Sequence, residues 1–271
     1  MRSLLPLAFA IIALPAAASA QDRDRQDRDR EDFRWQRSLS SGQTVRLHNV
    51  NGNVTVTSSN SGRVEIVGIK RGNSRYFEDL TAAVEETSNG IVVCVVWRDS
   101  DDECNADGFH SRGNDDGNRW NRAQMDLEVK LPRDLEVSAN SVSGNVSISG
   151  AQGDVRAASV SGDVRLERLR ATSVRATTVS GELSASIESL SGRGDLTFHS
   201  VSGNVELELP RDFGANLSMN SVSGQLDSDF QMTLGGSGRA GRRRIEARVG
   251  RGGRDLDITT VSGDVRLRMA R

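Results

Sequence analysis

The chain has 271 residues, of which 36% are hydrophobic, 4% aromatic and 27% charged, with 27 glycines against 4 prolines. So few rings exclude an aromatic-centred core and require one built from small aliphatic side chains. The 35 Lys+Arg nearly balance the 37 Asp+Glu, and a net charge of -2 gives no bulk reason to expect a nucleic-acid partner.

Arg2, an apolar run from Leu4 to Ala18 and the ending Ala18-Ser19-Ala20 have the layout of a cleavable secretory signal over residues 1–20, with a mature start at Gln21. The run is short for a membrane span of ~20 residues. The expected product is periplasmic or secreted and does not span a membrane after cleavage. Residues 21–32 are a mixed-charge tract with no apolar side chain to bury, and disorder is expected there.

Residues 33–271 read as one all-β domain. Strand-like runs occur at Thr44–His48, Val54–Thr57, Val64–Ile69 and Ile91–Trp97, joined by Ser/Asn/Gly turns. Phe77–Val84 has a helix-like apolar spacing and is expected to form one short helix. Cys94 lies in an apolar run and Cys104 follows in an acidic loop, so in an exported chain one disulfide is expected; the alternative is two unpaired thiols.

Residues 98–121 read as an insertion loop carrying Asp99, Asp101, Asp102, Glu103, Asn105, Asp107, Asp115 and Asp116. Aligned as a calcium loop from Glu103, the segment places Asn105, Asp107 and Gly108 suitably. Its twelfth position is Asn114, where a bidentate carboxylate is needed, so no metal ligand is assigned.

A repeat then takes over. Ser/Thr-Val-Ser-Gly-polar-Val/Leu appears at Ser141–Val146, Ser159–Val164, Thr178–Leu183, Ser200–Val205, Ser221–Leu226 and Thr260–Val265, with a weaker copy at Val50–Val54. The six glycines are separated by 18, 19, 22, 21 and 39 residues. Alternation inside each copy is a strand period, with Val160, Gly162, Val164 and Leu166 assigned to the inside and Ser161, Asp163 and Arg165 to the outside. The expectation is a parallel β-helix-like solenoid of roughly 20-residue coils, each stacked on the last. Counting the longest interval as two coils gives six steps, or roughly 29 Å at ~4.8 Å per strand.

The glycine marks a bend or a close backbone approach that a Cβ would obstruct. The serine before it is expected to form a hydroxyl ladder. The residue after it (Asn145, Asp163, Glu182, Asn204, Gln225, Asp264) is read as a solvated stacking position, with a calcium ladder as the alternative. Leu131-Pro132-Arg133-Asp134 and Leu209-Pro210-Arg211-Asp212 each lead into a copy of the phrase and read as strand-ending punctuation.

Residues 234–254 read as a Gly/Arg-rich loop. Its run Arg242, Arg243 and Arg244 is the candidate contact with an anionic surface, against the plainer reading of a solvated connection. The three histidines, His48, His110 and His199, stand apart in sequence, no nucleophile elbow surrounds any serine, and no phosphate-cradling loop is present. No catalytic residue and no cofactor is expected.

Leu131–Val137, followed by Ser141–Val146, Gly153–Val155 and Ser159–Val164, resembles the bacterial putative-adhesin family, a domain of unknown function with Val-Ser-Gly-Asp-Val β-strand repeats. The resemblance covers about residues 40 to 271 and implies a β-solenoid, an envelope or cell-surface partner, and no catalytic residues to transfer. The resulting expectation is an exported, non-enzymatic adhesin-like protein. The competing readings are a carbohydrate-active β-helix enzyme and an accessory of the envelope-stress response.

Overall fold

A computed structural model describes residues 31–98, 100–111, 122–234 and 243–270, so the signal segment, most of the charged tract, Asp99, Asn114, Asp115, Asp116 and Arg242 lie outside the described residues. The chain opens with β1 (Glu31–Arg37), β2 (Thr44–Asn51), β3 (Val54–Ser59), β4 (Val64–Gly72), β5 (Leu80–Thr87), β6 (Gly90–Trp97), β7 (Asp102–Asn105) and β8 (Gly108–Ser111). There follow β9 (Ala123–Pro132), β10 (Glu136–Ser143), β11 (Val146–Ser149), β12 (Gln152–Ser161), β13 (Val164–Ser180), β14 (Leu183–Leu190), β15 (Leu196–Ser202) and β16 (Val205–Leu209). The last are β17 (Ala215–Ser223), β18 (Leu226–Ser228), β19 (Met232–Leu234), β20 (Arg243–Val249), β21 (Arg254–Ser262) and β22 (Val265–Met269).

The repeat builds two parallel ladders joined at a glycine corner, an all-β, solenoid-like arrangement. One ladder runs β6, β2, β10, β12, the second half of β13, β15, β21, β17. The other runs β9, β3, β11, the first part of β13, β14, β16, β22, β18. Between them lies an aliphatic core. Val137 and Ala139, Val155 and Ala157, Val174 and Ala176, and Leu196 and Phe198 face Val146 and Ile148, Val164 and Leu166, Leu183 and Ala185, and Val205 and Leu207, all buried. Phe198 is in register with Ala176, so the one large ring of these layers stacks on a methyl group.

Several sequence expectations need correction. The layers do not follow chain order: β2 and β3 sit beside β10 and β11, and the C-terminal pair β21 and β22 is inserted between β15/β16 and β17/β18. The longest glycine interval is therefore not two coils; it holds β20, which caps the end antiparallel to β17, and β19, which pairs antiparallel with β20. Residues 243–249 are strand in what was read as a loop, and residues 102–111 form a hairpin within the expected insertion loop. Phe77–Val84 is not helical: a single 3-10 turn at Ser74–Tyr76 leads into β5, whose pairing with the wholly buried β6 fixes it as strand.

Charge explains the inserted pair. On the second ladder Glu206 and Glu208 lie opposite Arg266 and Arg268, and Asp227 lies opposite Arg266 from the other side. Arg268 also donates to Asp227 at 2.8 Å and Asp229 at 3.1 Å. Stacking β18 directly on β16 in chain order would instead bring carboxylates together, which is destabilising on adjacent strands.

Candidate functional site: an uncharged band at the glycine corner

At each corner the chain passes from one ladder to the other through Gly followed by an acidic or amide residue, and the backbones approach closely. A Cβ added to Gly144, Gly162, Gly181, Gly203, Gly263 or Gly224 would lie 2.0–2.3 Å from the carbonyl oxygen of the glycine in the adjacent layer. The residue after the glycine is a backbone acceptor and not merely a solvated position. Its side-chain oxygen takes the N–H of the next layer in a series from Asp126 through Asn53, Asn145 and Asp163 to Glu182, and again from Asn204 through Asp264 to Gln225, at 2.8–3.0 Å. One oxygen suffices for this bond, so Asn and Asp are interchangeable here and no stack of identical carboxylates forms.

The corner also reverses the alternation. Ser141, Ser159, Thr178, Ser200, Thr260 and Ser221 point inward and are buried. Ser141, Ser159 and Thr178 donate at 2.9–3.0 Å to the glycine carbonyl of the neighbouring layer, and Ser200 donates to that of Gly203. Between Ser159 and Val164, both inside, stand four residues, so the side-chain phase slips by one across the turn. Val160, assigned to the interior by unbroken alternation, is therefore outside. The serines preceding the glycines do stack in register, but on the surface.

The consequence is a row of outward valines. Val142, Val160, Val179, Val201 and Val261 are 40–46% exposed, and Val222, in the outermost layer of the ladder, is 71% exposed. Of the seven exposed large hydrophobic residues among the described ones, six are these valines and the seventh is Leu234. Flanking the row on one side are Ser143, Ser161, Ser180, Ser202, Ser262 and Ser223, and on the other Asn140, Ala158, Thr177, His199, Thr259 and Asn220. No formal charge falls in the three rows, in a chain with 27% charged residues.

The band has defined ends. At one, the β7–β8 hairpin lies over the outer face of β2 and β6: Cys94 and Cys104 are disulfide-bonded, with Cα atoms 5.7 Å apart, and Arg46 donates to Ala106 O at 2.9 Å. Gly108 rests on the His48 ring, where a Cβ would stand 3.2 Å from it. Burial, then Arg46 and His110, hold the His48 pKa below its usual value. At the other end β20 places Arg243 opposite Ser221 and Arg244 opposite Asn220. Arg244 is exposed and ion-paired with Glu246 at 2.9 Å.

Of the proposed anionic-surface residues, then, Arg242 is not described, Arg243 opens β20, and Arg244 is already paired. Asp101 precedes the hairpin and Asp102, Glu103, Asn105 and Asp107 belong to it, where Asn105 accepts from Asp107 N at 2.9 Å, and no group of three or more metal-binding side chains occurs among the described residues. The band itself escaped the sequence reading, although the signal was present as an apolar residue kept in all six copies at a position that the phase slip turns outward.

The Toastrack DUF4097 family matches residues 38–192 and 133–268, the stretches that carry this repeated corner. The chain belongs to the Toastrack family. It is the family that the Val-Ser-Gly-Asp-Val repeats resemble. Solved structures similar to the Toastrack chain include a "putative cell adhesion protein" from Clostridium sporogenes, at 9% identity and a TM-score of 0.47, covering 88% of this chain and 99% of that one. Another is a "putative adhesin" from Bacteroides fragilis, at 11% identity and a TM-score of 0.41, covering 87% and 96%. A third is a "putative adhesin" from Parabacteroides merdae, at 9% identity and a TM-score of 0.31, covering 87% and 95%. No curated protein matches the chain in sequence. Among the described residues no helix is long and apolar enough to cross a membrane.

Proposed function

We propose that this Toastrack protein is an exported, non-enzymatic, adhesin-like β-solenoid of roughly 20-residue coils that binds at the bacterial cell envelope through the band at its glycine corner. The observation that carries the reading is the row of six exposed valines. Outward positions of a solvated strand are ordinarily polar, and a repeated breach of that pattern without a folding reason marks a working surface. Loss of charge over the same rows matches the composition of an interface core. The secretory layout of residues 1–20 and the Cys94–Cys104 bond support export into an oxidising compartment.

Fractionation of cells expressing the full chain, followed by sedimentation of the purified protein with isolated envelopes, tests both halves. The expected result is recovery outside the cytoplasm and binding to envelopes that falls several-fold in a Val160→Glu/Val179→Glu/Val201→Glu variant. Retention in the cytoplasm defeats the export reading. Undiminished envelope binding by the variant defeats the assignment of the band.

A further inference from the structure

We infer that the partner docked on the band is a second copy of this chain, an inference that rests on the band being the binding surface. The band repeats a Val-Ser pair once per layer, so a surface meets it along its whole length only if it carries apolar side chains at the same spacing of ~4.8 Å. The one such surface in hand is the same band on another molecule. Rows of identical β-branched side chains at strand spacing interdigitate into dry contacts when two of them face each other.

Electrostatics agree with this choice. The outer row of the first ladder carries formal charges at Arg46, Arg156, Arg175 and Asp257, and the second ladder at Glu206, Glu208, Arg266 and Arg268. Docking two copies there would take those charges out of water, at a desolvation cost. The Asn/Thr/His, Val and Ser rows carry none, so two copies meet without desolvating an ion. An anionic lipid surface finds no cation in the band, and a sugar polymer finds no aromatic ring to stack on.

Size sets the strength. Six layers span about 24 Å along the row and the three rows about 10 Å across it. A contact of that extent buries a few hundred Å² per copy, below the standard interface, so association is weak and dependent on concentration. The hairpin at one end and β20 at the other limit how far two molecules can slide. Val222, the most exposed of the row, stands at the β20 end.

The test is sedimentation velocity of the purified chain from a few micromolar to several hundred micromolar, beside Val160→Thr/Val179→Thr/Val201→Thr, which keeps β-branched shape and removes apolar surface. The wild type is expected to dimerise reversibly, and the variant to do so at least ~10-fold more weakly with an unchanged circular dichroism spectrum. A second arm needs no loss of surface: Ser180→Cys in the band is expected to form a disulfide-linked dimer on mild oxidation, and Ser147→Cys on the second ladder is not. A wild type monomeric throughout, a variant that associates equally well, or equal cross-linking of the two cysteine positions each overturns the inference. If a monomeric wild type still binds envelopes through the band, the proposed function stands and the self-docking fails. If the chain dimerises through the band but ignores envelopes, the reverse holds.

Discussion

The smallest unit that decides this structure is the glycine of each corner. Gly162 has no room for a methyl group, because its Cβ would sit 2.3 Å from Gly144 O, whereas a Cβ at Gly62 would meet nothing within 4 Å. Gly162→Ala is expected to lose ~2–3 kcal/mol and Gly62→Ala less than ~0.5 kcal/mol, read from urea unfolding midpoints. Equal effects would show that the corner relaxes. The polar residue beside each glycine obeys a different rule: Asn145 must offer one oxygen to Asp163 N at 2.8 Å. Asn145→Asp keeps that acceptor but stacks its carboxylate on Asp163 and should cost only about 0.5 kcal/mol, while Asn145→Leu removes the acceptor at a cost of about 1 kcal/mol in the same melts. The glycine requirement was readable from its recurrence alone. The identity of the inward residue was not, because alternation is legible along a strand but its phase across a turn depends on how many residues the turn consumes.

At the scale of strands, position is set by neighbours as much as by pattern. Every repeat strand has the same alternating aliphatic face, so sequence alone offered no reason to place β22 anywhere but last. The rows Glu206/Glu208, Arg266/Arg268 and Asp227/Asp229 supply that reason. Arg266→Glu/Arg268→Glu should lower the urea midpoint and make the C-terminal strands the first site of proteolytic cleavage. Adding Glu206→Arg/Glu208→Arg should recover part of the loss, and a cleavage pattern unchanged by the first pair would refute the charge account. The β7–β8 hairpin makes a pH-dependent contact of its own. His48 has a folded pKa below the unfolded 6.5, so the unfolded chain binds the proton more readily. The stabilising contact is complete above that value and weakens as pH falls from it toward the folded one. The pH 5 to pH 8 difference in the urea midpoint should shrink in His48→Gln; a slope that persists would assign it to other groups.

The whole molecule reads as a stack with two unlike ends. Antiparallel strands cover both ladders at one end, β4 and β1 beyond β9 and β5 beyond β6, and the first ladder at the other, β20 and β19 beyond β17, and they turn those edges away from further parallel addition. The composition that excluded an aromatic core agrees with this architecture, since each layer offers a narrow interior that Val, Ala, Leu and Ile fill. What composition concealed is that a second set of valines, at the corner, forms the exposed face.

The inserted C-terminal pair has a consequence in time. Ribosomes deliver a chain from its first residue to its last, and a stack whose layers follow chain order can add each layer as it emerges. Here β17 and β18 take their parallel partners from β21 and β22, synthesised afterwards, with Leu226 waiting for Val265. The last third of the molecule must therefore remain open until the final residues are released. Until β21 and β22 have emerged this end of the stack has no parallel partner to close on, and it locks only when those two strands slide in beside β17 and β18.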